Sequence, residues 1–127
     1  MPVHEFVLMR HLTANPRGHT RGLARKIAEL RRELAWLWIG AGKPRPPAGT
    51  AVKVLLIRCA PRRLDSRDNL RQAFKPVVDE LVLCLGMRDD SDRNTDLRVE
   101  YAQESGRGVT SQAIVRVEWE DPCLPKV

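Results

Sequence analysis

The residues able to do chemistry in this 127-residue chain are concentrated between Arg62 and Asp92, in RRLDSRDNLRQAFKPVVDELVLCLGMRDDSD. Asp65 and Asp68 stand one helical turn apart at its start, and Asp89, Asp90 and Asp92 cluster behind Gly86 at its end. The chain is basic, with a net charge of +6 and a pI near 9.8. Carboxylates crowded near a lysine in a basic protein suit one use above others, the holding of Mg²⁺ against a phosphodiester. That ion takes carboxylate oxygens in near-octahedral geometry, activates water and neutralises charge on phosphate. Carboxylates alone repel DNA, and the metal reverses that sign. Lys75 nearby favours ionised acids and can assist the leaving oxygen, while the arginines supply a backbone affinity that falls steeply with salt. There is no EF-hand spacing, P-loop, dinucleotide fingerprint or nucleophile elbow. A carboxylate-pair glycosidase fits the basic balance poorly. From the residues alone two readings stay open, a metal-dependent nuclease and a nucleic-acid-binding module whose acids are simply solvated.

The elements that must position these groups follow from periodicity. Asp68 to Leu85 predicts a helix with Leu70, Ala73, Phe74, Val77, Leu81 and Cys84 inward and Asp68, Gln72, Lys75 and Asp79 on an outer stripe. Pro76 predicts a kink or a break there. Gly86 predicts the helix stop. A helix of this length holds Asp68 about 25 Å from the acids behind Gly86, so only tertiary folding closes the gap.

Upstream, Glu5 to Leu12 predicts a strand, and Thr20 as N-cap to Ile39 an amphipathic helix with a basic outer side. Trp36 and Trp38 on that helix are interface candidates, with Trp38 assigned to the core. The apolar run Thr50 to Cys59 reads as an interior strand covered on both faces. Leu97 to Gln103 and Ala113 to Trp119 alternate and read as an antiparallel hairpin with one buried face. The expected fold is a single α+β domain over residues 1–127, in the order β-α-β-α-β-β. Its mixed sheet is packed against two helices that cover its faces at least partly, and residues 120–127 form a flexible tail. Cys59, Cys84 and Cys123 lack metal-site spacing, and the first two read as reduced core residues. No apolar stretch approaches 18 residues, and the expected location is the bacterial cytoplasm, with no membrane partner.

The pattern RRLD…DNL…K…D.L…LG…DDSD resembles the RusA-like Holliday junction resolvases, especially those encoded in phages and prophages. LTANPRGH, before the first helix, is similar to that group's LTxNxRxH loop, and Tyr101-Ala102-Gln103 recurs in its third strand. The likeness runs from about Leu12 to Trp119. It implies a homodimeric endonuclease that uses Mg²⁺, with Mn²⁺ as a substitute, to cut four-way DNA junctions by paired nicks. Carried over by motif, Asp65, Asp68, Lys75 and Asp90 are the catalytic positions, and Asp65, Asp68 and Asp90 hold metal with Asp89 and Asp92 as further ligand candidates. Asp79 takes a structural part, pairing with Lys75 one turn away. Asn15, Arg17 and His19 become DNA-facing candidates, alongside the arginines Arg21, Arg62, Arg63 and Arg67. The family spaces its first two acids as DxDN, whereas LDSRDN has one residue more, so strict spacing puts Ser66 at the first acid's place. At a strand-to-helix turn the longer gap returns Asp65 to the same side. The alternatives are a non-catalytic DNA-binding relative and a phage structural or regulatory protein with solvated acids.

Overall fold

The structure, a computed structural model, describes residues 3–9, 21–47, 49–64, 67–87 and 97–120, and at 21, 67 and 68 the backbone alone. Six elements follow in the expected order: β1 (Val3–Leu8), α1 (Arg21–Gly40), β2 (Val52–Ala60), α2 (Arg67–Leu85), β3 (Leu97–Ser105) and β4 (Gln112–Trp119). They form one α+β unit with a mixed sheet. β1 starts at Val3, two residues before the expected Glu5, and ends at Leu8, with Met9 already out of the strand; residues 10–12 of the expected strand, the N-cap position Thr20 and the tail beyond Glu120 lie outside the described residues.

The sheet order is β1-β4-β2-β3, with β4 antiparallel to both its neighbours and β3 parallel to β2. This corrects the expected hairpin. The two last strands do run in opposite directions, but β2 lies between them and is hydrogen-bonded to each. Alternation of apolar residues shows which face a strand buries and is blind to which strand it pairs with. Two strand spacings are about 10 Å, well within reach of the six residues 106–111 that join β3 to β4. Gly106 and Gly108 turn that connection at φ 149° and 83°.

A second correction concerns the faces. Phe6 and Leu8, Val52, Val54 and Leu56, and Ala113, Val115, Val117 and Trp119 all point to one side of the sheet and pack there with both helices. The other side carries Lys53, Leu55 and Ile57 of β2, none of which belongs to the core. The two-sided apolar character of β2 therefore marks its central place in the sheet, and no described helix covers that second face. Across it Val7, Ile114, Ile57 and Ala102 form one apolar row through all four strands.

α1 presents Leu30, Leu34 and Trp38 to the core, with Trp38 stacked obliquely on Phe6 at 5.3 Å between ring centroids. The Met9 amide donates to Glu33 Oε2 at 3.2 Å, and Arg31 Nε lies 3.1 Å from Glu80 Oε1, so α1 is tied to both β1 and α2. α2 runs through Pro76 without a break. Leu70, Phe74, Val77, Val78, Leu81, Val82 and Leu85 are buried along it, at about 1.5–3 kcal/mol each, which outweighs the roughly 3 kcal/mol of an interior proline. The carbonyl that loses its partner belongs to Gln72, an exposed residue on the solvent side. Gly86 ends α2 as expected, at φ 73°, with Met87 N donating to Val82 O and Gly86 N to Leu83 O. α1 ends with the same pair of bonds around Gly42. No helix among the described residues is long and apolar enough to cross a membrane.

Packing on one face makes an asymmetric prediction. Phe74→Ala, fully buried in the core with its ring facing Tyr101, should lose about 3–5 kcal/mol in urea unfolding. Leu83→Ala, exposed on the same helix, should lose about 0.5 kcal/mol or less.

Candidate nucleic-acid and metal site

The register places Leu8, Ala60, Ser105 and Gln112 at one end of the sheet. Residues 61–66 leave the sheet at that end and lead into α2, so Asp68 sits in the first turn of a helix that starts there. The turn does not rely on its own residues for shape. Gln103 of β3 clasps it from below, its Oε1 accepting from Leu64 N at 2.9 Å and its Nε2 donating to Leu64 O at 3.3 Å. Arg58, near the end of β2, donates from Nη1 to Arg62 O at 2.8 Å. Two strand residues on the core face thus hold the backbone of two successive parts of the turn.

Arg58 is an unusual core residue, only 6% exposed, and it makes no ion pair among the described residues. Burial pushes its guanidinium below the ordinary arginine value by desolvating the charge. A cation placed there favours negative charge in the turn above it. Tyr101, two residues before Gln103, supports the start of α2. Its ring lies 6.1 Å from that of Phe74, and the Arg71 guanidinium sits 5.7 Å above it. The three residues Tyr101-Ala102-Gln103 therefore divide by alternation. Tyr101 and Gln103 brace the turn and first helical turns, and Ala102 faces the open side.

The predicted site residues fare unequally. Arg62 and Arg63 are exposed on the clasped turn, where an approaching phosphate can reach them. Lys75 is on the exposed stripe of α2, with Nζ 3.0 Å from Asp79 Oδ1 in an i,i+4 pair, the structural role expected of Asp79. Arg21, Arg67 and Asp68 are placed by backbone at the helix starts. Asp65, Asp89, Asp90, Asp92, Asn15, Arg17 and His19 lie outside the described residues. Among the described residues no three His, Cys, Asp or Glu side chains converge on a metal position. Every carboxylate predicted to bind Mg²⁺ is either outside them or described by backbone only. The structure therefore brings together the frame of the site, Arg58, Arg62, Arg63, Leu64 and Gln103 around the start of α2.

Sequence reasoning missed Arg58 and Gln103 as functional supports. Arg58 was visible as a charge breaking an apolar strand, and Gln103 as a polar residue on the inward alternation of β3. Cys59 is buried beside Glu104, with Sγ 3.9 Å from Oε2, and burial foremost, then the Glu104 charge, raises its thiol. Cys84, half-buried on α2, is pushed up to about 11 by burial and Glu80. Both suit the reduced, unreactive part expected of them.

No protein-family model matches the chain, and no curated protein matches it.

Gln103→Leu should speed hydrogen exchange at the Leu64 amide about tenfold, the equivalent of a 1.4 kcal/mol loss, by removing both clasp bonds. Gln103→Glu, which still accepts from Leu64 N, should retain most of the protection. Unchanged exchange in the leucine variant would mean that other contacts hold the turn.

Proposed function

We propose that this chain is a Mg²⁺-dependent endonuclease of the RusA-like kind, acting as a homodimer on four-way and other branched DNA in the host cytoplasm. The observation that carries the proposal is the doubly clasped β2–α2 turn. It gives a rigid backbone to a segment with exposed Arg62 and Arg63 and with Asp68 in the next helical turn. Rigidity of this kind is what a metal-binding carboxylate needs, because a ligand set must keep its spacing before the ion arrives.

In this reading Arg62 and Arg63 seat the phosphodiester backbone, and Asp65 and Asp68 with Asp90 hold the metal. When bound, Mg²⁺ supplies Lewis-acid stabilisation of phosphate charge and an activated water. Arg58 keeps the turn in place from within the core. Lys75 balances the acidic stripe and is held by Asp79.

The dimer enters through helix length. α2 is unbroken over 19 residues, and from Asp68 to Leu85 it rises about 25 Å. Met87 is bonded back to Val82, so the chain leaves Gly86 at the far end of the helix from Asp68. The three residues from Met87 to Asp90 recover at most about 10 Å of that length. We therefore assign the shared site to two chains, with Asp68 of one copy meeting Asp90 of the other about a two-fold axis. Two such sites per dimer suit paired nicking.

Complementation between dead variants tests the enzyme and the two-chain site together. On a synthetic four-way junction with Mg²⁺, Asp68→Asn and Asp90→Asn should each abolish nicking. Mixed and allowed to exchange subunits, they should regain it, since random exchange leaves about one site in four intact. Dead mixtures beside an active wild type would sink the two-chain site. A wild type that binds the junction without nicking it, in Mg²⁺ or Mn²⁺, would leave a DNA-binding module instead.

A further inference from the structure

One exposed aromatic side chain has no role in the proposed catalysis. Trp36 is 66% exposed, whereas Trp38 and Trp119 are 3% and 6% exposed in the core. A bare indole of this size is costly to leave in water, and its surroundings mix basic side chains with the exposed Ile39 one turn on. At about 100° per residue Arg25, Ala28, Arg32, Trp36 and Ile39 fall within roughly 80° of one another on α1, opposite Leu30, Leu34 and Trp38. Arg25, Arg32, Trp36 and Ile39 are exposed, as is Lys26 beside them. Among the described residues, every exposed charge on α1 is basic. Its two acids are only half-buried: Glu33 accepts from Met9 N, and Glu29, which borders the stripe about 20° from Trp36, has a contact of its own, so the exposed excess along the stripe is basic.

Basic side chains in line with a single exposed indole match the chemistry of unpaired DNA. Arginines take phosphates, and the ring stacks on a base that has left its own stack. Arg25 and Arg32 are two helical turns apart, about 10 Å, a span that straddles successive phosphates of one extended strand. A second copy of this chain would find an arginine-lined surface of its own sign there, which disfavours self-association through α1. We infer that the Arg25–Arg32–Trp36 stripe of α1 is a binding surface for DNA with unpaired, unstacked bases, with Trp36 as the stacking platform and the arginines as phosphate contacts. The inference rests on the DNA-processing reading above and extends it to the part of a branched substrate where pairing is lost. It gives the chain a means of preferring branched over continuous duplex that is separate from its acids.

The test is binding in EDTA, where no cutting occurs, so that its failure is distinct from failure of the nuclease reading. Fluorescein-labelled duplexes with and without an internal three-nucleotide bulge are titrated with wild type, Trp36→Ala, Trp36→Phe and Arg32→Gln. Trp36→Ala should weaken binding to the bulged DNA about tenfold and to the continuous duplex less than about twofold. Trp36→Phe should keep most of the preference. Arg32→Gln should weaken both and lower the slope of log affinity against log salt by about one. Because Trp36 is exposed, its variants should retain the wild-type thermal midpoint, which circular dichroism checks. Equal loss on both DNAs, or none on either, overturns the inference. So does a shift from dimer to monomer in sedimentation of Trp36→Ala, which would make the stripe a seat for a second copy. A chain that prefers bulged DNA through Trp36 yet never nicks a junction would keep this inference while losing the nuclease.

Discussion

A strand gains a parallel neighbour only when the chain returns to the end from which that strand began, and here α2 makes the return between β2 and β3. The crossover puts the start of α2 beside the finish of β2 and sends its last turn toward the opposite end of the sheet, where Leu97 pairs with Val52. It also lets β2 remain hydrogen-bonded on both sides, with β4 inserted against its other edge. Once β2 is interior, its last residues are fixed by two ladders. The turn after Ala60 then departs from the most constrained point of the sheet, and the candidate site inherits its precision from this.

The bonds that shape the site are neutral or one-sided, and the visible ion pair contributes little. Lys75 and Asp79 are both well exposed and form an i,i+4 pair, an arrangement worth about 0.3–0.5 kcal/mol in water. The two Gln103 bonds are partly buried, and removing their partner leaves a backbone amide and carbonyl to find others at about 1–3 kcal/mol. Arg58 adds a different constraint. A buried guanidinium without an acid partner among the described residues is costly in isolation, and its bond to the Arg62 carbonyl offsets only part of that.

The positions of all six elements were legible because each carries a period, two for strands and 3.6 for helices, and because Gly86 and the Pro- and Gly-rich connectors punctuate them. Partnership was not legible. The alternation in Leu97 to Gln103 is equally compatible with a hairpin and with a parallel place beside β2, and only the crossover decides. Nor was layer count, since Leu55 and Ile57 are apolar through their central position, without a second helical layer to bury them. Of the kink or break expected at Pro76 the break did not occur, because a helix rule is set per residue, whereas the seven apolar side chains buried along α2 act together. At the site, charged residues announce themselves by type. The residues that support them do so only by position, so Gln103 looked like one more polar residue until its register beside Arg58 was known.

Charge is distributed in a way that net charge does not convey. On the open sheet face Glu5, Glu100, Glu104 and Glu118 alternate with Lys53, Arg98 and Arg116, and Glu5 is paired with Arg116 at 2.9 Å. Four acids against three bases give that face no attraction for a polyanion. Among the described residues, the exposed charges of α1 and of the β2–α2 turn, Arg25, Lys26, Arg32, Arg62 and Arg63, are all of one sign. Clustered charge raises the local potential where dispersed charge of equal sum cancels within a Debye length of about 8–10 Å. Under the proposed function, a nucleic acid steered by this field would approach from the helical side. The apolar row of Val7, Ile114, Ile57 and Ala102 lies on the side where such a partner exerts no competition.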